Sequence, residues 1–237
     1  MRLSSPIYKL KRQAKLLVRE TDIRLHEALN QIAEKEGFKD WSHLASNCSK
    51  ATPAKEILNQ LGSGDMVLIG ARPGHGKTLL GLELAALAEK TNRTGYVFTF
   101  EYNETDVWDQ LEKLGCDTKR FDRPVVVDTS DNICAAHIIE RLSTTDDSSL
   151  VVVDYLQLLD QKRNNPPLEE QVRALKKLAA AKDAIIVVMS QIHRAFDLSD
   201  EGMPSMDDIR LPNPVDLSLF DKRCFLNDGD IQIETAA

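Results

Sequence analysis

Residues 70–78, GARPGHGKT, combine small residues, one lysine and one hydroxyl at a spacing suited to holding phosphate. Gly74 and Gly76 let the backbone turn its N–H groups inward around an anion. Lys77 supplies a point charge, and Thr78 offers a hydroxyl to Mg²⁺. The strict phosphate-loop pattern has glycine where this chain has Ala71, a change that the looser Ala/Gly form tolerates. The candidate nucleotide-binding residues are therefore Ala71, Arg72, Pro73, Gly74, His75, Gly76, Lys77, Thr78 and Leu79. A dinucleotide-binding loop is excluded, because it would carry a third glycine and no Lys-Thr pair.

A phosphate loop needs a metal-side carboxylate at the end of another buried strand. Asp154 follows the apolar run LVVV and supplies one; Asp128, which ends a run of valines, is its competitor. Hydrolysis also needs a base near the terminal phosphate. Glu101 ends the stretch GYVFTFE, and right-handed connections would set that strand beside the phosphate-loop strand. Gln191, closing AIIVVMSQ, is placed to sense the terminal phosphate or the attacking water.

Short β-branched runs must position these groups: 66–70, 95–101, 124–128, 150–156 and 184–190. Helical patterns lie between them at 77–91, 104–114, 131–143 and 167–182. Continuous apolar strands alternating with helices imply an α/β fold, a parallel sheet covered on both faces. KRCFLN and DIQIE, joined by Asn-Asp-Gly-Asp, predict a C-terminal β-hairpin. The first 48 residues predict three short helices, the second capped by Thr21 or Asp22 and the third by Asp40. The expected organisation is a small basic helical segment over 1–50 and an ATPase domain over 51–237.

Composition narrows the function. Of 237 residues 42% are hydrophobic and 28% charged, which excludes a wholly disordered chain. No apolar run approaches the roughly 18 residues that cross a bilayer, and the N-terminus lacks a secretory apolar core, so a cytoplasmic protein without a membrane partner is expected. The four cysteines lie far apart and suit reduced thiols. Residues 1–50 carry 10 Lys/Arg against 6 Asp/Glu, whereas residues 51–237 carry 20 against 31. A phosphate backbone is therefore repelled by the body at long range, and any nucleic-acid contact must be local.

With these pieces in place, the chain resembles the ATPase domain of DnaB-type replicative helicases, which have the RecA fold. The resemblance rests on GARPGHGKT, the strand ending near Glu101, VVVDYLQLL (151–159), MSQIHR (189–194) and DDIR (207–210). It implies an Mg-ATP-binding ATPase acting in DNA replication or remodelling. Lys77 and Thr78 would hold phosphates and Mg²⁺, Asp154 would be the metal-side acid, and Glu101 would activate water. Gln191 would couple the terminal phosphate to a nucleic-acid loop, with His193, Arg194 and Arg210 near single-stranded DNA. The implied assembly is a homo-oligomer. Three features depart from the family: a short N-terminal segment, an acidic stretch over 195–209, and no clear counterpart of a late strand carrying a Lys and an Arg. Lys222 and Arg223 are the late basic pair. These departures define the alternative, an ATP-dependent switch or adaptor docking a protein partner through its N-terminal helices.

Overall fold

The computed structural model describes residues 7–21, 23–48, 52–114, 125–145, 148–198, 202–211, 213–227 and 230–235. The chain divides into two compact units, Met1–Thr52 and Pro53–Ala237. In the first, α1 (Ile7–Glu20), α2 (Leu25–Lys35) and α3 (Trp41–Cys48) enclose a core of Leu10, Ala14, Ala28, Ile32, Ala33 and Leu44. Asp40 caps α3 as expected, its carboxylate accepting from the His43 N–H at 2.7 Å. Thr21 does not cap α2: its hydroxyl turns back to the Leu17 carbonyl, and Glu27 satisfies the Arg24 N–H instead. Asp22 lies outside the described residues.

The second unit starts with α4 (Pro53–Leu58), a helix too short to show periodicity in the sequence. Then follow β1 (Met66–Ala71), α5 (Lys77–Leu87), β2 (Thr94–Thr99), α6 (Glu104–Lys113) and β3 (Val126–Asp128). The remainder is α7 (Ala135–Ser143), β4 (Ser149–Asp154), α8 (Leu168–Lys182), β5 (Ile185–Gln191), β6 (Lys222–Asn227) and β7 (Asp230–Thr235). The seven strands form one sheet in the order β3-β2-β4-β5-β1-β6-β7. All neighbours are parallel except β7, which runs antiparallel to β6 and makes the expected hairpin; residues 228 and 229 of its turn lie outside the described residues.

Successive strand residues feed opposite layers. Val67, Ile69, Val152 and Val187 pack with α4, α5 and α6, while Met66, Leu68, Val151 and Val188 pack with α7 and α8. Burial on both faces is why these strands read as unbroken apolar runs. The sheet order corrects one expectation. β2 is not beside β1, because β4 and β5 lie between them. β2 also stops at Thr99 rather than at Glu101. The Phe100 N–H still reaches the Asp154 carbonyl at 3.3 Å, but the backbone then bends out of the ladder.

Helix α5 crosses over β4 and β5 at very short range. A Cβ on Gly81 would stand 2.6 Å from Met189 Cε and 2.9 Å from Val152 Cγ1, so glycine permits that approach. The crossing carries the start of α5, which holds Lys77 and Thr78, over the end of β4.

Candidate functional site

Parallel strands deliver their carboxyl ends to one edge of the sheet, where open α/β sheets bind ligands. Ala71, closing β1, is paired with Gln191, closing β5; Thr99, closing β2, is paired with Asp154, closing β4. The loop after β1 turns through Gly74 (φ 83°) and Gly76 (φ 82°), left-handed positions that suit glycine. Gly76 caps α5, so the helix starts with free N–H groups aimed at the loop interior.

Four predicted residues meet at this edge. Lys77, 6% exposed, pairs its ammonium with Oδ1 of Asp154, which is 1% exposed. Glu101 Oε2 lies 4.0 Å from the same nitrogen. The Thr78 hydroxyl stands 2.8 Å from Asp154 Oδ2 and 3.1 Å from Glu101 Oε2, and with one proton it donates to one of them at a time. Two carboxylates, one ammonium and one hydroxyl leave the cluster one negative charge. Such hard oxygen donors match Mg²⁺, which takes one or two carboxylates and completes its shell with phosphate and water.

Tyr155 joins this group although the sequence reading did not single it out. Lys77 Nζ sits 5.0 Å from its ring centroid, within cation–π range. Burial pushes the Tyr155 phenol up, and the Glu101 and Asp154 carboxylates add to the shift, against the lowering effect of Arg210 and of a hydrogen bond with the Gln191 side chain. Its position directly after Asp154 was the available signal.

Beyond Tyr155 lies a cleft of about 710 Å³ lined by Arg72, Pro73, Gln191, Ile192, His193, Arg194, Ala195 and Arg210. Every ionisable residue in that lining is basic. Arg210 Nη1 donates to Gln191 Oε1 at 3.2 Å, and its backbone N–H donates to the Gln191 carbonyl at 2.8 Å. The predicted strand contacts His193, Arg194 and Arg210 thus share one cleft with Gln191. Of the acids in 195–209, Asp208 is engaged in capping Ser205 at 2.8 Å, and the side chains of Asp197, Asp200 and Glu201 lie outside the described residues. Gln157, also unforeseen, braces this side by donating to Ser190 Oγ at 2.9 Å and to the Arg210 carbonyl.

Other candidates sit elsewhere. The Leu79 side chain is exposed on α5, so only its backbone belongs to the loop. Lys222 pairs with Asp65 at 2.6 Å and lies opposite Val67, at the far end of the sheet with Arg223. Asp128 closes the edge strand β3, where its Oδ2 meets His137 Nε2 at 2.8 Å and Arg141 Nε at 3.6 Å. Burial alone would raise the Asp128 carboxyl, but the His137 bond and the Ser130 donors outweigh it and hold the group below its ordinary value of 3.8.

A group with a depressed folded pKa stabilises fully above its unfolded value, and the gain fades as pH falls through the folded one. The parent should therefore resist urea better than Asp128→Asn at neutral pH. That advantage should shrink as pH drops below about 4. Urea midpoints measured from pH 7 to pH 3 check this; a constant gap would show that Asp128 contributes no charge-dependent stability.

Residues 103–216 match the family model described as the DnaB-like helicase C terminal domain. The chain is similar to the replicative DNA helicase DnaB of Leifsonia xyli subsp. xyli, with 25% identity over 190 residues covering 67% of this chain and 42% of that protein. It is also 25% identical over 219 residues to DnaB of Synechocystis sp., covering 79% of this chain and 24% of that protein. The chain thus spans about two fifths or less of the length of these relatives. Among solved structures, a DnaB-like replicative helicase described with its primase interactions superposes with a TM-score of 0.59 at 16% identity, covering 98% of this chain and 70% of that one. A solved ATPase domain gives a TM-score of 0.56 at 19% identity, covering 86% of this chain and 83% of that one. The fold is RecA-like, the mostly parallel sheet with flanking helices that the motifs implied.

Proposed function

We propose that the chain binds and hydrolyses Mg-ATP and couples turnover to single-stranded DNA, as a DnaB-type helicase ATPase domain that completes its site by self-association. The observation that carries this reading is the convergence of Lys77, Thr78, Asp154 and Glu101 at the carboxyl edge of the sheet. The loop backbone and Lys77 hold the phosphates; Thr78 and Asp154 hold the magnesium ion. When bound, that ion neutralises charge on the phosphate oxygens. Glu101 takes the proton from the attacking water, and the adjacent Lys77 ammonium and Thr78 hydroxyl orient its carboxylate. The basic cleft suits a sugar-phosphate backbone, a local attraction that an otherwise acidic body requires. Among the described residues no helix is long and apolar enough to cross a membrane.

The test is steady-state ATP hydrolysis as a function of protein concentration, with and without single-stranded DNA. Turnover per chain should rise with both, and added salt should remove the DNA response. Slow turnover indifferent to both would sink the coupled ATPase and leave a nucleotide-gated adaptor.

A further inference from the structure

Arg72 occupies two places at once. It belongs to the loop between β1 and Gly74, and it lines the basic cleft. Its Nη1 donates to the Ile192 carbonyl at 3.0 Å, a bond spanning 120 residues of sequence. Ile192 is also tied from its other side, since its N–H donates to the Ala71 carbonyl at 3.1 Å. Residues 71 and 72 therefore clasp Ile192 through both of its peptide groups.

From Ile192 the connection continues by backbone alone. Ile192 bridges Ile209 in antiparallel fashion, the His193 N–H donates to the Asp208 carbonyl at 2.8 Å, and the Arg210 N–H donates to Gln191. These bonds make residues 191–193 and 208–210 one small ribbon. The ribbon carries Gln191, His193 and Arg210, three of the cleft-lining side chains. Ile192 and Ile209 are buried, and both press within 3.0 Å of where a Cβ on Gly70 would stand. The ribbon is thus packed on the end of β1, with little room to shift unless the loop shifts too.

We propose that Arg72 is a positioning residue: the strut through which occupancy of the phosphate loop sets the placement of the ribbon of residues 191–193 and 208–210, and so of the cleft. This rests on the nucleotide-binding reading above, and it differs from the side-chain coupling that the resemblance implies for Gln191. Its guanidinium fork holds its donors in a rigid plane, so the arm bonded to Ile192 moves with the rest of the group. A phosphate drawing the loop inward moves the guanidinium, and the ribbon follows its hydrogen bond. By linkage, an anion in the cleft changes nucleotide affinity by the same factor.

Hydrogen exchange of the full chain tests this without requiring DNA. Exchange of amides 191–193 and 208–210 is compared in apo protein and with Mg·ADP or a non-hydrolysable ATP analogue, with nucleotide affinity measured by calorimetry in parallel. In the parent, saturating nucleotide should slow exchange at these amides by at least about fivefold, the lower end of typical coupling between sites. In Arg72→Ala at saturation, the slowing should fall below about twofold, and Arg72→Lys, which keeps one donor, should retain part of it. Arg72→Ala with the parent's protection overturns the strut. So does a parent that binds nucleotide with no change at the ribbon, which leaves the nucleotide reading intact. Arg72→Ala that binds no nucleotide makes Arg72 a phosphate ligand and also overturns the strut. A parent that binds no nucleotide overturns the function itself, and the strut with it.

Discussion

Lys77→Ala is expected to lose nucleotide affinity by roughly 30- to 5,000-fold, because truncating one partner of a buried, hydrogen-bonded charge pair costs about 2–5 kcal/mol. The lysine is buried and its ammonium has Asp154 as a partner, so the variant also strands a buried carboxylate. That second effect lowers stability independently of any ligand. The two are separable. Lys77→Met combined with Asp154→Asn removes both charges; it should recover most of the melting temperature and none of the affinity. Calorimetric titration of Mg·ADP alongside thermal melts gives both readings. Affinity within about threefold of the parent in Lys77→Ala would remove Lys77 from the phosphate site.

Glu101→Gln should behave in the opposite way. The amide keeps the shape of the acid, and its oxygen can still accept from the Thr78 hydroxyl, now 3.1 Å from Glu101 Oε2. Nucleotide affinity should therefore stay within a few-fold of the parent. What the amide cannot do is take a proton, and a general base is worth about 10²–10⁴ in rate. Single-turnover hydrolysis at saturating enzyme should slow by that factor. Equal rates for the variant and the parent would assign the base to another group. Together the two substitutions distinguish holding the phosphates from activating the water, since the first removes affinity and the second spares it while slowing hydrolysis.

The motif GARPGHGKT made the phosphate loop legible, and the unbroken apolar runs made the strands legible. Sheet order was not. An apolar run reports that both faces of a strand are buried, but nothing in it names the lateral neighbour, so the strand before Glu101 was expected beside β1 rather than with two strands between them. Phe100 extended the apolar run past the true end of β2. The predicted helix at 131–143 starts only at Ala135, because its first N–H is satisfied by Gln171 Oε1 from α8 at 2.9 Å. A cap supplied from another helix leaves no local trace. The same holds for the bond between Arg72 and Ile192: each residue type is ordinary where it stands, and only the fold joins them.

The position of β1 has a consequence for the order in which the protein is made. Both of its partners come late in the chain, since Met66 lies opposite Ile186 and Ala71 lies opposite Leu226. Translation at about 5–20 residues per second leaves the phosphate-loop strand without either neighbour for on the order of ten seconds. Its apolar edge is open to other nascent chains for that interval. β2 finds β4 much sooner after it emerges. The first strand of the sheet to leave the ribosome is therefore an interior one, and it is enclosed only after β5 and then β6 have followed it.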